Sequence, residues 1–200
     1  MNFKYLIVLL SFFFFSQSCG SENYIPKPRT YPRVDYPTKS YQPFQENYCN
    51  FSFEQPVYTT IEQTNKFFEG KTDNPCWFDV VFGDLNGRIH CSYAPIDNKE
   101  NTLLSLVNDS QNLVYKHTSK ANAINEEPFS YPNNKAYGAL FELKGSVASP
   151  YQFYVTDSLN HYVRGSLYFK TSPNPDSMRP VIKFVKEDLL HMIKTIQWKN

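Results

Sequence analysis

Glycine is scarce, with seven in 200 residues, and no glycine-rich loop is present to cradle a phosphate. The four histidines, His90, His117, His161 and His191, lack ligand spacing such as His-x-x-x-His. No metal site and no cofactor are expected from them. No Gly-x-Ser-x-Gly elbow occurs, so the usual nucleophile turn of an α/β hydrolase is excluded. Charge of one sign is missing too. A formal net charge of +1 gives no electrostatic reason to expect nucleic acid as a partner. No long apolar run follows Phe15, so no transmembrane helix is expected beyond it. Cysteine is limited to four residues: Cys19, Cys49, Cys76 and Cys91.

Aromatics, in contrast, are abundant. The chain has 15 Tyr, 17 Phe and 2 Trp, and disordered chains are poor in such residues. The N-terminus carries an export pattern. Lys4 precedes an apolar stretch from Tyr5 to Phe15, broken only by Ser11, which is too short to span a bilayer. Small residues follow, so residues 1–18 are expected to be a signal peptide and the mature protein to lie outside the cytoplasm. Ser16-Gln17-Ser18 suits an ordinary signal peptidase, whereas Cys19-Gly20 resembles a bacterial lipobox with Ser16 in place of its usual leucine. Four cysteines allow two bridges, which favours a thiol at Cys19; its place at the end of the apolar run favours lipid. We take Cys19 as the expected lipid attachment and acylated first residue. Two or three acyl chains, at about 0.8 kcal/mol per buried methylene, would then hold the protein to a membrane.

Residues 19–47 have the composition of a tether. Pro26, Pro28, Pro32, Pro37 and Pro43 are interleaved with tyrosines, which favours extended chain over helix or ladder. This strip reads either as a spacer or as a docking segment that uses Lys27, Arg29, Tyr31 and Arg33. Residues 48–200 are expected to form one domain. "FSFEQPVYTTIE" is strand-like. "CWFDVVFGDLNGRIHCSYAPI" reads as a hairpin turning at Asn86-Gly87, with Phe78, Val80 and Phe82 on one face and Ile89, Cys91 and Tyr93 on one face of the return strand. In this register Leu85 faces Arg88 and Phe82 faces Cys91. A helix is expected over 101–120, with Asn101 as cap and a stripe of Leu103, Leu106, Val107, Ser110, Leu113, Val114 and His117. "AYGALFELKG", "YQFYVT" and "YVRGSLYF" follow as strands, the last with a single apolar face. The final helix starts from Ser177 as N-cap, with Pro180 in its first turn. Its stripe contains Val181, Ile182, Val185, Leu189, Met192, Ile193 and Ile196, and Glu187 and Asp188 are placed on the polar face. The predicted class is α+β: an antiparallel sheet with two main helices packed on it.

Three groupings invite chemistry. His90 and Cys91 are adjacent, but neighbours on a strand point to opposite faces, so Cys91 is expected to be a buried, inert thiol. In the register above, Cys76 lies too far down the strand to reach Cys91, and Cys49 with Cys76 is the preferred bridge, closing a loop worth about 3 kcal/mol. Asp157, Ser158 and His161 hold triad residue types within one short loop. A turn stabilised by local hydrogen bonds is the expected explanation.

Several stretches in order, "PKPRTYPRVDYP", "FSFEQPVY", "PCWFDVVF", "YKHTSKANAI", "SPYQFYVTDSLNHYVRGSLYF" and "RPVIKFVKEDLLHMIKTIQW", resemble the gliding motility lipoprotein GldD family of Bacteroidota, from about Cys19 to Trp198. The resemblance implies a periplasm-facing membrane lipoprotein of the cell envelope, needed for gliding and coupled to type IX secretion. It would bind other gliding or secretion envelope proteins and carry out no chemical step. Cys49 and Cys76 match cysteines of the family and Cys91 does not, which supports the same pairing. The strand–helix order also resembles, more loosely, the PsbP/Mog1-type sandwich. Asp157-Ser158-Leu159 matches the Asp-Ser/Thr pattern at which exported proteins of Bacteroidota are O-glycosylated, which makes Ser158 a candidate site. The alternative reading is a periplasmic enzyme: a thiol-redox protein using Cys91 or a serine hydrolase using Ser158.

Overall fold

The computed structural model describes residues 33–199, apart from Gln45, Asn65, Phe68, Glu69, Thr72, Asp73, Asn98, Ser172 and Pro173. In chain order come β1 (Tyr41–Phe44), β2 (Phe51–Pro56), β3 (Thr60–Gln63), the two-residue β4 (Lys66–Phe67) and β5 (Gly70–Lys71), β6 (Trp77–Phe82) and β7 (Gly87–Pro95). Helix α1 (Leu103–Tyr115) precedes β8 (Ala121–Tyr131), β9 (Ala136–Gly145), β10 (Tyr151–Thr156) and β11 (His161–Phe169). Helix α2 (Pro175–Thr195) and β12 (Gln197–Trp198) end the chain. The main sheet has seven strands in the order β3-β6-β7-β11-β10-β9-β8, and a small sheet has the order β1-β2-β12. Their pairings are all antiparallel, and the class is α+β.

Alternation along the strands builds two cores. Phe78, Val80, Phe82, Ile89, Phe153 and Leu167 point to one face of the main sheet. There they meet Phe44, Phe51 and Phe53 of the small sheet and Val185, Leu189 and Ile193 of α2. A smaller cluster, Val114 of α1 with Ala139, Phe141, Leu143 and Val147, belongs to the opposite face. The single apolar face expected for β11 is therefore corrected. Tyr162 is buried on the α1 side, where its hydroxyl pairs with Ser110 Oγ at 2.6 Å and donates to the Leu106 carbonyl at 3.0 Å. Gly165 of β11 has a steric reason. A Cβ there would lie 2.2 Å from the ring of Phe153 on the neighbouring strand.

The β6–β7 hairpin differs from expectation in its turn. Gly83–Leu85 forms one 3₁₀ turn and Asn86 closes it in the left-handed region (φ 51°), its N–H donating to the Gly83 carbonyl. Four loop residues instead of two give the register Phe82↔Gly87 and Phe78↔Cys91. The faces survive because the shift is even. The β8–β9 hairpin uses the same device, with Pro132–Asn134 as the 3₁₀ turn and Lys135 left-handed (φ 49°).

Helix α1 is shorter than the expected 101–120. Thr102, not Asn101, caps it, its Oγ1 accepting from Ser105 N–H, and the chain turns through 116–120 into β8. Of its expected stripe only Ser110 and Val114 are fully buried. Asn174, not Ser177, caps α2, its side chain accepting from the Ser177 N–H at 3.2 Å. Pro180 consequently sits in the second turn, inside the helix. The tether expected to run to residue 47 gives way earlier: β1 pairs with β2 from Tyr41↔Pro56 to Phe44↔Phe53, and Val34 packs against the main core.

Candidate functional site

The segment that leads into β1 meets the rest of the domain around Asp188. Helical spacing puts residue 188 three after Val185 and four before Met192, on the apolar stripe. Its side chain is fully buried, which corrects the expected polar-face placement. A buried carboxylate needs partners. Lys39 Nζ donates to Oδ1 at 2.8 Å, Tyr41 OH to Oδ1 at 3.0 Å and Tyr58 OH to Oδ2 at 2.8 Å. Lys39 also donates to the Phe184 carbonyl at 2.7 Å and lies 3.8 Å from the centroid of the Phe184 ring. Tyr36 packs on that ring, with centroids 4.7 Å apart. Tyr41 stacks on His191 at 3.6 Å, and His191 Nε2 meets Glu54 Oε2 at 2.6 Å. Burial, then the hydrogen bond to Asp188, pushes both tyrosine hydroxyls above their ordinary range. Both therefore remain proton donors at any physiological pH. The arrangement is a clamp: residues 36–41 grip one helix face and one buried carboxylate.

A second polar cluster crosses the other face of the main sheet. Glu62, Asp79 and His90 lie in register on β3, β6 and β7. Buried Asp79 accepts from Arg88 and from His90 Nδ1, each at 2.5 Å, and Arg88 reaches Glu62 at 3.3 Å. Ser166 stands opposite His90 on β11. The cluster braces three strands.

Other residues singled out in the sequence take these places. A disulfide joins Cys49 and Cys76, with Cα atoms 5.0 Å apart, and ties the lead-in of β2 to that of β6. Cys91 is a free, buried thiol whose pKa is pushed well up by burial and, secondarily, by Asp79. Asp157, Ser158 and His161 do not converge. Asp157 Oδ1 accepts the backbone N–H groups of Leu159, Asn160 and His161. His161 pairs with Tyr93 OH at 2.9 Å and stacks flat on Trp198. Ser158 is exposed at the turn in the left-handed region (φ 69°). Arg33 is exposed and reaches Asp35 at 3.4 Å. Cys19, Lys27, Arg29 and Tyr31 lie outside the described residues. Sequence reasoning missed Lys39, Tyr41, Tyr58 and Asp188; the signal available for the last was its spacing from Val185 and Met192.

Comparison with known proteins decides the family. The model for "Gliding motility lipoprotein GldD" matches residues 21–198. The chain belongs to the gliding motility lipoprotein GldD family. GldD-family membership makes it a gliding motility lipoprotein, a class held to membranes of the cell envelope. Among the described residues no helix is long and apolar enough to cross a membrane. No curated protein matches the chain. Among solved structures, the chain is similar to cyanobacterial PsbP (CyanoP) from Synechocystis sp. PCC 6803, at 10% identity and a TM-score of 0.47, covering 84% of this chain and 97% of that one.

Proposed function

We propose that this GldD-family protein is a non-enzymatic accessory component of the gliding machinery. It is anchored through acylated Cys19 in the periplasm-facing part of the cell envelope and positions its domain to bind other envelope proteins, in concert with type IX secretion. The observation that carries the reading is the Asp188 clamp. Leash residues are held by hydrogen bonds to a buried carboxylate, so the domain is presented from one fixed point. A passive spacer has no need of such a grip. Lys27, Arg29, Tyr31 and Arg33 precede the clamp in sequence and are the proposed contact strip for a partner. Ser158, exposed on the 157–161 turn, is the proposed O-glycosylation site.

The test is Cys19→Ala in the native host. The expected result is a protein of normal abundance that leaves the membrane fraction, with gliding lost. A released protein that still supports full gliding overturns the tethering. Cys91→Ser and Ser158→Ala, each at normal abundance, are expected to glide; loss of gliding in either would favour redox or hydrolytic chemistry instead.

A further inference from the structure

A cavity of about 740 Å³ opens between the end of β9, the loop from 146 to 150, the end of β11 and the first half of α2. Its floor is apolar: Leu143, Val147, Tyr151, Phe169, Met178 and Ile182 line it. Its rim is basic, with Lys144, Arg179, Lys183 and Lys186. One carboxylate, Glu142, stands among these four cations.

The cations are weakly engaged. Arg179 meets Asp176 at 3.0 Å in an exposed pair, and exposed pairs contribute little. Lys144 reaches Glu142 at 3.6 Å, and Lys186 lies 5.0 Å from the centroid of the Tyr151 ring. Among the described residues Lys183 has no acidic partner. Glu142 is already occupied by the Tyr151 hydroxyl at 2.7 Å. Counting Glu142 and Asp176 against the four cations, two positive charges are left in excess around an apolar hollow.

Two features select the ligand. The volume falls within the range of small-molecule pockets, which are mostly apolar with a few orienting polar groups. The rim calls for an anion, which disfavours the 19–47 segment as occupant, since its Lys27, Arg29, Arg33 and Lys39 outnumber Glu22, Asp35 and Glu46. A bare anion would leave the floor unused. We propose that the cavity binds a single-chain anionic amphiphile: an acyl chain in the hollow, with a carboxylate or phosphate head on Lys183, Lys186 and Arg179. This goes beyond the tethering function and does not depend on it.

The test uses the full chain carrying Cys19→Ala, so that no lipid of its own competes. Titration with dansylated undecanoic acid is expected to show saturable binding. Decanoate and lysophosphatidate should both compete, which covers the two head groups. Decanol and inorganic phosphate should compete at least tenfold more weakly. Lys183→Glu with Lys186→Glu is expected to weaken binding at least tenfold. Ala148→Trp, which fills the hollow from its wall without changing charge, should do the same. Circular dichroism and melting of both variants should match the parent, and Lys183→Gln, expected to weaken binding about threefold, serves if the double variant misfolds. The proposal is overturned by absence of saturable binding, by decanol competing as well as decanoate, or by unchanged affinity in the folded variants. Polyglutamate binding more tightly than decanoate would also overturn it, pointing to an acidic protein surface.

Discussion

Asp188 concentrates more consequence than any other single side chain described. It is enclosed by two tyrosines and a lysine drawn from two segments of the chain, and removing its charge leaves the Lys39 ammonium with only the more exposed Glu187 as acidic neighbour. Breaking one side of a buried pair costs about 3 kcal/mol or more. Asp188→Asn is therefore expected to lose about 3 kcal/mol in urea unfolding, with the Lys39–Phe184 contact loosened. A variant within 0.5 kcal/mol of the parent would show that the clamp does not hold the leash. The residue also shows what a sequence reveals and conceals. Spacing alone puts position 188 on the buried stripe of α2, but acidic type argues for solvent. Type misled here because its compensating partners lie about 130 to 149 positions away in the chain. The same distance hides Asp79 and its partners less, since they occupy one hairpin, and the shared face of Arg88 and His90 was readable from alternation.

At the scale of elements, strands with a buried face were legible and the long exposed edge strand β8 was not. β6, β7, β9, β10 and β11 alternate or run apolar. β8 does not: "ANAINEEPFSY" is largely exposed along its length, because it is the edge strand and pairs only with β9. Its Glu126, Glu127 and Pro128 are the residues expected of a strand that must not pair again. Hairpin faces were legible but registers were not, since a 3₁₀ turn with a left-handed Asn86 adds residues without flipping the pleat. The β10–β11 turn carries its own pH dependence. Burial pushes the Asp157 carboxyl up, but three backbone N–H donors outweigh it and hold the pKa below the usual aspartate value. A depressed folded pKa gives stability that is complete above the unfolded value, near 3.9, and is lost as pH falls through the folded one. Asp157→Asn is expected to lower the melting temperature at pH 7, and by less at pH 3, where the carboxylate's contribution has begun to be lost. A constant gap at both pH values would remove the charge from the explanation.

For the whole molecule, the class and the helix pair followed from periodicity, whereas the small β1-β2-β12 sheet depended on contacts no local pattern announces. That sheet is joined to the main one by Cys49–Cys76, across 27 residues. A loop of that length contributes about 3 kcal/mol through the unfolded chain. Cys49→Ala with Cys76→Ala is expected to shift urea unfolding by this amount; a shift below 1 kcal/mol would mean that packing of the phenylalanine cluster suffices without the bridge.

Gliding is mechanical work, and on the proposed tethering it puts tension on the segment that precedes β1. In this chain a pull arriving from the N-terminal side meets Lys39 before the β1–β2 ladder and Tyr41 at the ladder's first pair. Both are held by one carboxylate on a helix of 21 residues that is rooted in the main core. Load therefore enters the domain through Asp188 of α2 as well as through the β1–β2 ladder, and the short strand does not bear it alone.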